Sequence, residues 1–329
     1  MKPLKTLAGL CLLGTLSSPA YAAIVQDEGK TEVSVGALTR YQFEVENADD
    51  ETRIGSNLMT GRLQVSAVHH DVGNVAVQYD AVSSTFLDAF VDISRNSPVG
   101  IRVGRFRTPI GAEWQIGLKD LPTSSRTLIA QRVLGRATGL DVYADFKLGE
   151  VEFRADVGLY NPTLSTRIED GQVLGQRLRL GFKGLFFHAA YATHVMGDND
   201  LSNGGRNLPV EDQVDLALGY EKAGFRLHAE AFISFDPIIA DETVWNVYGL
   251  ASYVVGDPKT AVAWEPTIAF DHEFSGEDRE DRNRLQLLVN VLWSERDLMT
   301  SLGVSRTSQI VNGEDQSDLQ GFFFVQGAI

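Results

Sequence analysis

Residues 140–159 read LDVYADFKLGEVEFRADVGL. Leu140, Val142, Ala144, Phe146 and Leu148 alternate with Asp141, Tyr143, Asp145 and Lys147. After Gly149-Glu150 the same rhythm returns, with Val151, Phe153, Ala155, Val157 and Leu159 set against Glu152, Arg154, Asp156 and Gly158. A period of two places alternate side chains on opposite faces of a strand, and a two-residue turn with glycine joins an antiparallel pair. One face of this hairpin is apolar and the other is charged.

The pattern recurs along the chain. About sixteen segments show it, starting near Thr31, Leu58, Gly73, Thr85, Val99, Ala137, Val151, Leu174, Leu185, Asp212, Gly224, Thr243, Thr260, Arg282, Asp297 and Asp318. Most are about 9 to 12 residues long, enough for a tilted strand to cross a bilayer. The connections sort by length. Those after even-numbered segments are short, as at His70–Val72, Gly149-Glu150 and Lys183-Gly184. Most of those after odd-numbered segments are longer: Glu44–Asn57, Arg107–Arg136, Asn161–Val173, Gly197–Glu211, Asp236–Glu242, Glu273–Asp281 and Thr307–Ser317. Only Ser83-Ser84 breaks the rule. Short turns at one rim and long loops at the other describe a transmembrane antiparallel β-barrel, all-β, of about sixteen strands.

Composition agrees. The chain of 329 residues carries a formal charge of −15. Residues 1–22 have a positive start (Lys2, Lys5), an apolar stretch from Thr6 to Leu16 and the small-x-small run Ala20-Tyr21-Ala22. That is the pattern of a secretory signal peptide cleaved after Ala22, leaving 23–329 as one barrel domain. Cleavage removes two lysines and no acid, so the remainder has 27 basic and 44 acidic residues, or −17. It also removes Cys11, the one cysteine, and with it any disulfide or thiolate site. No later segment has eighteen consecutive apolar residues. The acid concentrates in loops, at Glu44–Glu51, Asp198–Asp200, Glu277–Asp281 and Glu314-Asp315. Such runs are either solvated or bridge through divalent cations to lipopolysaccharide phosphates.

One stretch runs against this charge. Ile101–Arg136 holds Arg102, Arg105, Arg107, Lys119, Arg126, Arg132 and Arg136 against Glu113 and Asp120, a local +5. It is the tail of the fifth strand and the connection to the sixth. A sixteen-stranded barrel leaves an aqueous channel unless something narrows it. Five charges at about 8 Å, screened by salt, would favour a monovalent anion by about 1 to 2 kcal/mol, roughly tenfold. The arginine fork matches phosphate or carboxylate oxygens. If Ile101 and Val103 face lipid, Arg102 faces the lumen. Arg105 then falls on the lipid phase at the strand end. The alternative role for these residues is to pin the loop to the wall, through Glu113 and Asp120 among others.

Asp88-Ala89-Phe90-Val91-Asp92-Ile93, then Val103–Trp114 (VGRFRTPIGAEW) and Leu128–Leu134 (LIAQRVL), resemble the signature region of the phosphate-selective porin O and P family. The resemblance covers about 60 residues, Asp88–Phe146. It implies a sixteen-stranded barrel in the outer membrane of a Gram-negative bacterium. It further implies that the connection between strands 5 and 6 folds into the pore and closes with Arg132. A homotrimer is implied as well, with small hydrophilic solutes and inorganic anions such as phosphate as the cargo, and outer-membrane lipid and lipopolysaccharide as surroundings.

Rival readings stay open on sequence alone: a general or cation-tolerant porin, a barrel without transport, such as an adhesin, or a rim hydrolase. No G-x-S-x-G elbow is present, and His69, His70, His188, His194, His228 and His272 lack metal-ligand spacing. No enzyme activity, cofactor, metal or nucleic-acid partner is expected. Trp114 sits in the long connection, whereas Trp245, Trp264 and Trp293 suit an interface belt.

Overall fold

The computed structural model describes residues 31–328 apart from 49–50, 95–96, 162–171, 197–211, 237–241, 258, 260–261, 275–280, 294–296 and 312–313. The signal peptide at 1–22, the Asp198–Asp200 run and most of Glu277–Asp281 lie outside the described residues. Sixteen strands follow one another: β1 (Thr31–Ala48), β2 (Glu51–His69), β3 (Gly73–Asp80), β4 (Thr85–Ile93), β5 (Val99–Arg107), β6 (Arg136–Leu148), β7 (Val151–Asn161) and β8 (Gln172–Phe182). Then come β9 (Leu185–Met196), β10 (Asp212–Lys222), β11 (Phe225–Asp236), β12 (Glu242–Tyr253), β13 (Ala263–Phe274), β14 (Arg282–Trp293), β15 (Leu298–Val311) and β16 (Glu314–Ala328). Each pairs antiparallel with its sequence neighbours, and β16 pairs with β1, closing the barrel. Closure removes every sheet edge, which is the condition for a sheet to survive in lipid.

The hairpin of 140–159 pairs Leu140 with Leu159 and Leu148 with Val151. Its apolar residues point outward: Leu140, Val142, Phe146, Val157 and Leu159 are exposed, while Asp141 and Asp156 are buried facing the lumen. β13 repeats this. Trp264, Ile268, Phe270 and Phe274 are exposed, and Glu265, Thr267, Asp271 and Glu273 are buried. A soluble sheet has the opposite polarity; here the apolar face is solvated by hydrocarbon. That outward apolar band on a closed barrel is built to face a lipid bilayer. The turn at Lys183-Gly184 has positive φ at both residues, 52° and 94°, as a tight two-residue hairpin requires.

One expectation needs correcting. The connections expected at Glu44–Asn57 and Thr307–Ser317 are largely strand, because β1 continues to Ala48 and β2 begins at Glu51, while β15 continues to Val311 and β16 begins at Glu314. Pairing satisfies the backbone whatever the side chains are, so polar residues there extend the ladder past the apolar band.

Inside the barrel lie two apolar clusters. Phe106, Ile110, Ile129, Val133, Leu134, Tyr160 and Phe232 form much of the first, with Phe90 and Trp114 against it. Leu288, Leu292, Met299, Phe322 and Phe324 form part of the second. Residues 108–135, joining β5 to β6, supply much of the first cluster.

Candidate functional site

The connection after β5 is turned inward at its root. Gly104 has φ +125°, and a Cβ there would lie 2.3 Å from the Ala89 carbonyl oxygen. Glycine alone accommodates that approach. Phe106 then enters the interior, its ring centroid 5.9 Å from that of Tyr160 and 6.2 Å from that of Phe90. Gly111, at φ +82°, leads into the short helical turn Ala112–Gln115. A 3₁₀ turn at Leu118–Asp120 and a second helical turn at Ile129–Arg132 follow.

The wall on the far side receives the loop. Glu230 on β11 accepts the Ala112 and Glu113 N–H groups at 2.9 Å each. Arg226, also on β11, donates to the Asp120 carbonyl at 2.8 Å. On β14, Arg284 donates to the Arg126 carbonyl at 2.7 Å and Asn290 to the Pro122 carbonyl at 2.9 Å. Gln326 on β16 donates to the Lys119 carbonyl at 3.1 Å, and Arg40 on β1 to the Ser124 carbonyl at 2.9 Å. In a sixteen-strand circle β13 and β14 stand opposite β5 and β6. The loop therefore crosses the lumen. Wall side chains satisfy its backbone, as an irregular segment in an interior needs.

Of the seven basic residues expected to act together, three surround one ring. The guanidinium carbons of Arg126, Arg136 and Arg107 lie 4.6, 5.7 and 6.0 Å from the Trp114 ring centroid. Arg107 shares one nitrogen among the carbonyls of Trp114, Gln115 and Ile116 at 3.0 to 3.2 Å. Arg126 donates to the Glu113 and Ile116 carbonyls at 3.1 and 2.8 Å and lies 3.5 Å from the Glu113 carboxylate. Arg136 grips Asp88 at 2.9 and 3.2 Å. Arg102 faces the lumen from β5, paired with Asp92 at 2.7 Å, and Arg105 donates to the Phe86 carbonyl at 3.0 Å. These two sit apart from the Trp114 group. Lys119 is exposed on the 3₁₀ turn, and Arg132 ends the second helical turn, its side chain outside the described residues.

Two arginines outside the stretch join the group. Arg62 on β2 pairs with Asp80 at 3.1 Å and is electrostatically coupled to Arg107, Arg126 and Arg136. Its place on the lumen face was legible from strand alternation, but not its proximity to residues forty or more positions away. Arg40 is almost fully buried, 4.6 Å above the Phe324 ring. Only closure of β1 against β16 places it there.

Pairing lowers the local charge well below the sequence count. Arg62, Arg102, Arg126 and Arg136 each have a carboxylate partner, whereas the contacts of Arg40 and Arg107 are with carbonyls, an amide and rings. The two sides of the loop also differ. Glu113, Asp215, Glu230 and Asp271 lie at the docked face and are at most 3% exposed. The Arg62, Arg102 and Arg126 side chains keep 16 to 23%. Burial pushes the Glu113 carboxyl above its ordinary range, with Arg126 opposing and Asp271 adding. Arg62, Arg102 and Arg126 are more exposed than the carboxylates they pair with, whereas Asp88 is more exposed than Arg136.

No protein-family model and no curated protein matches the chain. Solved structures do. An anion-selective porin from Comamonas acidovorans aligns with a TM-score of 0.65 at 15% identity, covering 91% of this chain and 100% of its own. The outer membrane channel DcaP of Acinetobacter baumannii aligns at 0.61 and 12% identity, covering 94% and 100%. Pseudomonas putida OprB aligns at 0.57 and 11% identity, covering 91% and 94%. At such identities the likeness concerns the fold and does not reach the finer resemblance to the phosphate-selective O and P family. The chain adopts the closed sixteen-stranded barrel fold of outer-membrane porins.

Proposed function

We propose that the protein is an outer-membrane porin, a water-filled channel for passive diffusion of small hydrophilic solutes, which favours anions at the loop between β5 and β6. The observation that carries this is the loop itself. It crosses the lumen, hides its acidic contacts against β11 and β13, and leaves Arg107, Arg126 and Arg136 around Trp114 on its other side, with Arg62 paired to Asp80 on the wall. A porin selects at its narrowest section, and residual arginine charge there lowers the energy of an anion. Phosphate and carboxylates suit the arginine fork. The likeness in fold to an anion-selective porin agrees with this reading. A trimer form of Vibrio cholerae OmpT, which shares the fold, agrees with a homotrimeric assembly. The reading gives no residue a catalytic role.

A second reading is a general, cation-tolerant porin. It is favoured by the carboxylate partners of four arginines, which leave Arg40 and Arg107 as the least compensated charges. Planar-bilayer recording in a KCl gradient separates the two. A reversal potential toward chloride is expected, with phosphate reducing the chloride current. A potential toward potassium would select the second reading, and absence of conductance would remove both.

A further inference from the structure

One buried carboxylate holds the root of the constriction loop. Glu230 binds the Ala112 N–H through one oxygen and the Glu113 N–H through the other, each at 2.9 Å, and the second oxygen also meets His228 Nε2 at 2.9 Å. Asp215 on β10 lies beside Glu230, with His188 Nε2 from β9 at 2.8 Å. His188, Asp215, His228 and Glu230 are all buried. The Phe186 and Tyr248 rings flank His228, with centroids 5.6 and 5.5 Å from its own.

The charges facing this seat come from every element around it. The loop supplies Glu113, β12 Tyr248, β13 Asp271 and β14 Arg284. Arg179 on β8 and Arg226 on β11 face His228. Arg126 faces Glu113. Four carboxyl groups thus crowd together where Arg284 and Arg126 make the direct ion pairs.

We infer that Glu230 is the positioning residue of the constriction loop, set in place by its contact with His228. This rests on the porin reading above. Each carboxyl oxygen holds one N–H group at the root of the loop, so a single side chain fixes two successive backbone positions. Loss of that carboxyl weakens both bonds together and frees the root of the loop to move. The channel then conducts differently without any change at the arginine face.

Single-channel recording of the reconstituted full chain tests this. Glu230→Gln should show more open-channel fluctuation than wild type, with loop excursions roughly tenfold more frequent. Ala112→Pro is the second variant. Proline fits the first position of a helix and removes one donor to Glu230 while leaving the wall intact. It should fall between wild type and Glu230→Gln, and it carries the test if Glu230→Gln fails to fold. Wild-type fluctuation in the folded variants would overturn the positioning role. A wild type that conducts nothing would instead overturn the porin reading.

Discussion

Arg40 on the first strand binds Gln326 on the last through Nε and Nη2, at 3.0 and 2.6 Å. The same guanidinium reaches the Ser124 and Leu118 carbonyls of the loop that crosses the lumen. One buried side chain therefore joins the seam that closes the barrel to the element that narrows it. Truncation strands several acceptors in a buried place. Arg40→Ala is expected to cost about 2 to 4 kcal/mol, read as a lower urea midpoint of the refolded barrel. Unchanged stability together with an unchanged conductance would refute the double role.

Selectivity should follow the arginines around Trp114. Each removed charge is worth about 0.2 to 0.5 kcal/mol to a monovalent anion, a factor of about 1.4 to 2.3. Arg107→Gln and Arg126→Gln act oppositely on the two ions, so each should lower the chloride-to-potassium permeability ratio by about the square of that factor, roughly 2- to 5-fold. Arg107 should give the larger effect, because Arg126 already has Glu113 at 3.5 Å. Lys119→Gln, on the exposed 3₁₀ turn, should change it less. Reversal potentials in a salt gradient would show the order.

Gly104 is the hinge at which the chain turns inward. With φ at +125° and the Ala89 oxygen 2.3 Å from the site of a Cβ, Gly104→Ala must shift backbone. A cost of about 1 to 3 kcal/mol is expected, together with a displaced loop and altered conductance. Heat-resistant migration on a gel reads the first, and bilayer recording the second.

The Glu113 carboxyl gives a pH dependence with a definite sign. Burial raises it above the unfolded value, so the folded state holds this proton more tightly. Its contribution is most favourable below the ordinary glutamate value of about 4.3 and is lost as pH rises through the higher folded value. The stability of wild type relative to Glu113→Gln should therefore fall on going from acid to neutral pH. Urea unfolding of both proteins across that range provides the difference, and a difference that grows with pH would contradict the assignment.

The barrel was legible because it repeats one local rule. Alternation from Leu140 to Leu159 states a strand pair outright, and the sorted loop lengths state which rim is which. The rule fails where lipid no longer imposes it. Polar residues such as Asn47, Glu51 and Thr52 carry no apolar rhythm, yet their backbones pair as well as any others. The seat of the loop was illegible for a different reason. Its partners, Glu230, Arg284, Asn290 and Gln326, stand a hundred or more residues from it, and only closure of the whole circle brings them opposite. The basic stretch could be counted from sequence, and Glu113 was among its candidate partners, but its neutralisation by Asp88 and Asp92 on β4 could not be read there.

The overlong strands have a consequence for the mouth of the pore. β1 and β2, of 18 and 19 residues, run about 60 Å, and at the usual tilt they rise about 45 Å, well beyond a hydrocarbon layer of about 30 Å. β15 and β16 are also long, at 14 and 15 residues, and are laddered to them as far as the pairing of Asn47 with Leu319. Among the described residues the wall of the vestibule therefore stands as a stiff four-stranded parapet on this flank. Anything passing the mouth on that side slides along laddered backbone rather than past a pliant loop.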